Sequence, residues 1–185
     1  MVEQAGDCRL EVELRIRASP SSLQPPACKR DASIVTSGVH AQDATYTARL
    51  MTLETATQAA RAALESCRKA GYQVAVAVVD RSGVTQVMLR DRYAGPHTPD
   101  MAVDKAWTAV SFRTDTGALA DVTAAGKPMS GIRSRPRVAA VGGGVVIEGA
   151  GALLGAIGVS GAPGGDRDEA CARAGIASVQ PSLDF

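Results

Sequence analysis

One short segment concentrates the side chains that could do chemistry. Residues 90–100 read Arg-Asp-Arg-Tyr-Ala-Gly-Pro-His-Thr-Pro-Asp, with four charged groups and a tyrosine. His97 is one of two histidines in the chain, and its imidazole could ligate iron or act as an acid or base. A solvated loop histidine beside a helix cap is the competing interpretation. Because loops between buried elements often carry binding groups, this segment is the first candidate for a site.

The segment lies between a predicted strand and a predicted helix. Val74–Val79 is an unbroken run of valine and alanine, and Val84–Arg90 follows it across the turn Asp80–Gly83. This pattern predicts an antiparallel hairpin whose first strand is central in a sheet. Downstream, Thr98 is a predicted N-cap and Pro99 a predicted first helical residue. The apolar face of that helix is predicted to comprise Val103, Ala106, Trp107 and Val110.

Further elements follow from the spacing of apolar residues and from turn signals. They are a helix capped by Thr52 and stopped by Gly71, a short helix over Thr114–Val122, a glycine-rich hairpin over Arg137–Ser160, and a helix from Asp166 to Pro181. Hairpins separated by helices, without repeated βαβ crossovers, predict an α+β fold. We expect an α-β-α sandwich with a largely antiparallel sheet of about five strands flanked by helices.

Composition excludes some classes of partner. Lys and Arg total 20 against 19 Asp and Glu, a formal charge of +1, so the chain has no basic field for nucleic acid or an anionic membrane. The apolar stretches are shorter than the roughly 20 residues of a membrane-spanning helix. We therefore expect a soluble chain with a small-molecule ligand and no nucleic-acid or membrane partner.

The composition changes near residue 50. Before it, Pro20, Pro25 and Pro26 interrupt a stretch without sustained helical or strand periodicity. Residues 1–50 are therefore predicted to be a poorly ordered extension, and residues 51–180 the folded domain. No apolar export signal is present, so we expect a cytoplasmic protein. A misassigned start would make it periplasmic or secreted.

The cysteines do not form a metal-binding pattern. They occupy positions 8, 28, 67 and 171 with no C-x-x-C pair, so neither a zinc site nor covalently attached haem is indicated. Cys67 and Cys171 fall inside helical patterns and are expected to be small buried hydrophobic residues without a disulfide.

Five blocks of sequence carry a family resemblance. They are Val76–Gly83, Asp104–Ala109, Gly142–Val145, Gly155–Gly161 and Asp168–Gly175. In this order, over about Met51–Val179, they resemble successive blocks of the HbpS/GlcG-type haem-binding (haem-degrading) domain family. The resemblance implies an α-β-α domain that self-associates into a homo-oligomer, binds haem in some members and degrades it in others.

Two functions follow from the residues and the resemblance together. In the first, the chain binds haem or a similar tetrapyrrole, sequestering or degrading it, with His97 as iron ligand and Arg90, Arg92 and Lys105 facing the propionates. The candidate binding residues are Arg90, Arg92, Tyr93, His97, Lys105 and Thr108. In the second, the chain is an enzyme or enzyme accessory acting on a small organic acid or in corrinoid metabolism.

Lys105 has a second interpretation that involves no ligand. It lies on the helix that follows the loop, where it could face solvent or pair with Asp104 or Asp100.

Overall fold

The computed structural model describes residues 45–184. Of the predicted extension over residues 1–50, residues 1–44 lie outside the described part of the chain. The poor order of the extension therefore stays a prediction. Residues 45–50 are exposed and have no regular secondary structure, whereas Met51 is 5% exposed and packs into the core.

The described residues form helices and strands in the predicted order, except at the end of the chain. The helix predicted from Asp166 to Pro181 ends at Ala177, and Pro181 lies near the start of a separate short helix, which proline at a first-turn position permits. The helices are α1 (Leu53–Lys69), α2 (Thr98–Phe112), α3 (Thr116–Val122), α4 (Gly165–Ala177) and α5 (Gln180–Leu183), with a 3₁₀ turn at Ser130–Ser134. The strands are β1 (Ala75–Asp80), β2 (Thr85–Arg90), β3 (Gly144–Gly149) and β4 (Ala152–Ser160). The predicted cap of α1 is confirmed, because Thr52 Oγ1 accepts a hydrogen bond of 3.2 Å from the Thr55 amide.

The sheet is antiparallel throughout, with strand order β2-β1-β4-β3. The α+β class and the antiparallel sheet flanked by helices are thus confirmed, with four strands among the described residues where about five were expected. Residues 137–143, which the apolar pattern assigned to a hairpin, run irregularly. Arg137 and Gly143 have φ of 70° and 117°, and such values interrupt an extended backbone.

The side chains of β1 alternate between two helical layers. Val74, Val76 and Val78 pack with α1 and α4 on one face, whereas Ala75 and Ala77 pack with α2 on the other. All five are 0% exposed, which explains why the run Val74–Val79 contains no polar residue. The sheet is therefore covered by helices on both faces.

Small residues bring α2 unusually close to the sheet. A Cβ atom added to Gly158 on β4 would collide with the backbone of Ala102 and Ala106 on α2. This close approach fixes the height of α2 above the sheet. It thereby also fixes the position of the loop that precedes the helix.

Candidate functional site

The loop between β2 and α2 is anchored by a buried carboxylate. Asp91 is 2% exposed, and its Oδ1 accepts a 2.7 Å hydrogen bond from Arg68 Nε on α1. Its Oδ2 accepts one of 3.3 Å from the Val74 amide beside β1. A guanidinium nitrogen of Arg90, the residue before Asp91, donates to the carbonyl oxygen of the buried Ala94. The start of the loop is therefore fixed to both α1 and the sheet.

The end of the loop differs from its prediction. Thr98 is the first residue of α2, and His97 occupies the N-cap position without capping the helix through its side chain. The predicted Thr98 cap is wrong because the Thr98 hydroxyl points back and donates a 2.7 Å hydrogen bond to the Gly95 carbonyl oxygen. This bond closes the loop and leaves the His97 ring exposed at its tip.

An open groove lies beside this tip, which we call the His97 groove. It has a volume of about 410 Å³. The loop contributes Tyr93, Gly95, His97 and Thr98, the residues after α1 contribute Gly71, Tyr72 and Gln73, and the opposite wall comprises Ser160–Pro163 and Asp168. Its size falls within the roughly 300–1,000 Å³ of small-molecule sites. Neither ring nitrogen of His97 has a hydrogen-bond partner among residues 45–184, so both are available to a ligand.

A buried ion pair supports the wall of this groove. Lys105 Nζ lies 2.7 Å from Asp168 Oδ2 and donates a 2.9 Å hydrogen bond to the Val159 carbonyl oxygen. The second carboxylate oxygen of Asp168 accepts a 3.0 Å hydrogen bond from the Ala162 amide in the groove wall. The side chains of Lys105 and Asp168 are 3% and 5% exposed. The pair therefore links α2, β4, α4 and the loop that follows β4.

The environment of Asp168 also shifts its pKa. Burial raises the pKa of Asp168 above its ordinary value of 3.8, while the hydrogen bond from Lys105 acts in the opposite direction. Position 143 has no room for a side chain beside the pair, because a Cβ at Gly143 would lie 2.8 Å from Lys105 Nζ.

The structure separates the six candidate residues into two groups. His97 and Tyr93 line the groove, and Tyr93 is 78% exposed. Arg92 is exposed in the same loop, and Arg90 is exposed while it bonds to Ala94.

Lys105 and Thr108 lie inside the protein. Lys105 pairs with Asp168, and not with Asp104 or Asp100 as its second interpretation had it. Thr108 is 0% exposed; its hydroxyl donates to the Arg137 carbonyl oxygen and accepts from the Ala139 amide. Both residues therefore hold neighbouring chain segments in place and have no side-chain surface in the groove.

The expectation that Cys67 and Cys171 are unbonded is wrong. Both are buried as expected, but their sulfurs form a disulfide with a Cα–Cα distance of 5.5 Å. Cys67 lies one turn before the groove residues Gly71 and Tyr72, and Cys171 lies one turn after Asp168. The disulfide thus joins the two helices whose ends form opposite sides of the groove.

Metal-binding groups are sparse in the described region. No three His, Cys, Asp or Glu side chains converge there into a site that could hold a metal ion alone. In the same region, no helix combines the length and the apolar character needed to cross a membrane.

The fold and the groove define a class: an α-β-α domain with an open pocket at the start of one covering helix. A family model described as haem degrading protein HbpS-like matches residues 51–177. The chain therefore belongs to the HbpS-like family, which confirms the resemblance seen in its sequence blocks.

Two solved structures are similar in both sequence and fold. One is a double mutant of HbpS from Streptomyces reticuli, which is 39% identical with a TM-score of 0.69, over 86% of this chain and 96% of that one. The other is the PduOC:Heme complex, which is 32% identical with a TM-score of 0.67, over 70% of this chain and 95% of that one.

A longer relative shares the same domain. The corrinoid adenosyltransferase PduO of Salmonella typhimurium is 36% identical over 106 residues, which are 56% of this chain and 32% of that protein. The chain thus corresponds to well under half of that relative.

Proposed function

We propose that this chain binds haem in the His97 groove, with the His97 imidazole as the iron ligand. The observation that carries the proposal is an exposed imidazole, free of hydrogen bonds to the described residues, at the mouth of a groove with two tyrosines. A porphyrin supplies its own equatorial nitrogens, so one protein side chain is enough to hold the iron. Membership of the HbpS-like family and the similarity to the PduOC:Heme complex support haem as the bound molecule.

The residues around the groove fit the parts of a haem molecule. Tyr72 and Tyr93 offer aromatic surface for a flat apolar ring, and Tyr93 is a second possible iron ligand. The Arg92 guanidinium is exposed in the same loop and is free to pair with a propionate. Lys105 acts on this site through Asp168 and the Ala162 amide, so we assign it a positioning role.

Bound haem would supply the redox-active iron that degradation of the ring requires. The chain's own residues contribute the ligand, the aromatic surface and the charge for the propionates. Haem binding is therefore the step on which either sequestration or degradation depends.

Haemin titration of four proteins tests the proposal. Wild type should show a saturable shift of the Soret band. His97→Ala should change the Soret and visible bands and weaken binding more than tenfold, which corresponds to about 1.4 kcal/mol. His40→Ala is the matched control because the chain has only these two histidines. Tyr93→Phe keeps the ring and removes the phenol oxygen.

The outcomes show whether haem binds and which residue ligates its iron. An unchanged spectrum in His97→Ala, together with a changed one in Tyr93→Phe, would transfer the ligand role to Tyr93. A changed spectrum in His40→Ala alone would transfer the ligand role to His40. No saturable shift in wild type would refute haem binding.

The alternative of corrinoid or organic-acid chemistry has one supporting observation, the shared domain in PduO. Because that domain is a minor part of the longer protein, the likeness does not assign the adenosyltransferase reaction to it. Titration with hydroxocobalamin under the same conditions separates the two ligands. Tighter binding of the corrinoid than of haemin would favour the alternative.

The Cys67–Cys171 disulfide indicates the cellular compartment in which the protein folds. Buried disulfides are typical of oxidising compartments and rare in the cytosol. We therefore favour the periplasmic or secreted location over the cytoplasmic one. Fractionation of the native host with thiol labelling of the extract tests this choice.

A further inference from the structure

A second cleft lies at the other end of α2, and we call it the Arg81 cleft. It has a volume of about 450 Å³ and lies between the β1–β2 turn, the end of α2 and the start of β4. Its polar lining comprises Arg81, Ser82, Ser111 and Arg113, and its apolar lining comprises Val110, Ala152 and Leu153. Since α2 has 15 residues, the cleft is about 22 Å from the His97 groove along the helix axis.

The side chains of this cleft form an excess of unpaired positive charge. Neither Arg81 nor Arg113 forms an ion pair or side-chain hydrogen bond with any residue between 45 and 184. No carboxylate lines the cleft. The nearest one in sequence, Asp80, is occupied because its Oδ1 accepts hydrogen bonds of 2.8 and 3.0 Å from the Ser82 and Val84 amides.

The hydroxyl groups of the cleft are also free. Neither Ser82 Oγ nor Ser111 Oγ has a hydrogen-bond partner in the described part of the chain. The carbonyl end of α2 carries negative partial charge, so the backbone there does not attract an anion. Recognition must therefore come from the two guanidinium groups and the two hydroxyls.

The cleft is held in a fixed shape on two sides. The β1–β2 turn packs on α2, since a Cβ at Gly83 would lie 2.9 Å from Trp107 Cδ1. Arg113 ends α2 in the left-handed conformation, with φ of 51° and ψ of 42°. Helices commonly end with a residue in this conformation, which here turns the chain away from α2 at the edge of the cleft.

We propose that the Arg81 cleft binds a small organic dicarboxylate. Guanidinium groups pair with carboxylates through parallel hydrogen bonds, and two of them match a ligand with two negative charges. The apolar side chains of Val110 and Leu153 suit the short carbon chain between the carboxylates. This site is independent of haem binding, because it shares no lining residue with the His97 groove.

Isothermal titration calorimetry of the full chain with succinate tests the proposal. Wild type should bind saturably, and Arg81→Gln and Arg113→Asn should each weaken binding at least tenfold. Asparagine is chosen at position 113 because it tolerates the left-handed conformation. Arg61→Gln is the matched control: Arg61 is an exposed arginine on α1, which covers the opposite face of the sheet. Circular dichroism verifies that each variant is folded.

Two comparison ligands make the assignment specific. Acetate, with one carboxylate, should bind at least tenfold more weakly than succinate, and so should inorganic phosphate, which has no carbon chain to contact Val110 and Leu153. Absence of saturable succinate binding would overturn the proposal, as would equal binding by the Arg81→Gln/Arg113→Asn double variant. Phosphate binding as tight as that of succinate would overturn the dicarboxylate assignment. His97→Ala should leave succinate binding unchanged, which separates this test from that of the haem site.

Discussion

Replacing Lys105 by methionine removes an ammonium from the protein interior while keeping a long unbranched side chain. Lys105 Nζ contacts Asp168 Oδ2 at 2.7 Å and the Val159 carbonyl oxygen at 2.9 Å. In the variant, the carboxylate of Asp168 keeps its hydrogen bond from the Ala162 amide and loses its counter-charge. Breaking a buried pair from one side costs about 3–5 kcal/mol, because the remaining charge is left in a poorly solvated place.

Chemical and thermal denaturation measure this loss. We expect the free energy of unfolding of Lys105→Met to fall by about 3–5 kcal/mol and its Tm by roughly 10–20 °C. Lys69→Met is the matched control, because Lys69 pairs with Glu65 at 3.2 Å on the surface with both side chains more than half exposed. An exposed pair one helical turn apart contributes only about 0.3–0.5 kcal/mol.

The pH dependence gives a second readout with a defined sign. Burial raises the pKa of Asp168 above 3.8, so the native state binds this proton more readily than the unfolded state. The contribution of Asp168 to stability is therefore complete below about pH 4 and is lost as pH rises through its native-state pKa. Because Lys105→Met removes the group that lowers this pKa, the variant's deficit should be largest at neutral pH and shrink on acidification.

The double variant Lys105→Met/Asp168→Asn shows whether the loss comes from the unpaired charge of Asp168 or from the missing contacts of Lys105. If an unpaired buried charge is the cause, the neutral amide should restore part of the lost stability at neutral pH. A loss below about 1 kcal/mol in Lys105→Met would refute the reasoning from burial. So would a double variant no more stable than the single one.

The remaining predictions concern the disulfide, a glycine and assembly. Cys67→Ala/Cys171→Ala should lose about 2–5 kcal/mol in urea denaturation, because the bond closes a loop across 104 positions of sequence; unchanged stability with and without reductant would contradict this. Gly143→Ala should lose about 1–3 kcal/mol or more in the same assay, since its φ is 117° and the new Cβ meets Lys105; Gly151→Ala, with open space around the glycine at φ of 74°, separates backbone strain from the clash. Light scattering at micromolar concentration should show at least a dimer, and a monomer at every concentration would rule out self-association.

Most of the architecture could be predicted from local patterns. The run Val74–Val79 identified a central strand because only a strand buried on both faces lacks polar residues. The helical spacing of alanines after Thr52 identified α1 and its cap. The β1–β2 hairpin was predictable because a turn separates two strand-like runs. The loop with His97 was predictable because it lies between the second run and a helical pattern. These features depend on neighbours within a few residues, which a sequence pattern records.

The details of the site could not be predicted in the same way. Lys105 and Asp168 are 63 positions apart, and the two cysteines of the disulfide are 104 apart. Nothing in the pattern around Lys105 distinguished a pairing with Asp168 from one with Asp104. Both contacts depend on how α4 packs beside the sheet. The spacing of apolar residues along one sequence does not show which distant residues come close together.

The Cys67–Cys171 disulfide has a consequence for the continuity of the molecule. The segment between α3 and β3 is largely exposed and contains Arg133 and Arg137, neither of which precedes a proline, so a trypsin-like protease can cut after them. A cut after either residue gives two pieces, one with Cys67 and α2 and the other with β3, β4 and Cys171. The pieces stay joined by the sulfur bridge, and β4 remains hydrogen-bonded to β1. A nicked chain is therefore still one covalent molecule that presents both sides of the His97 groove until a reductant releases it.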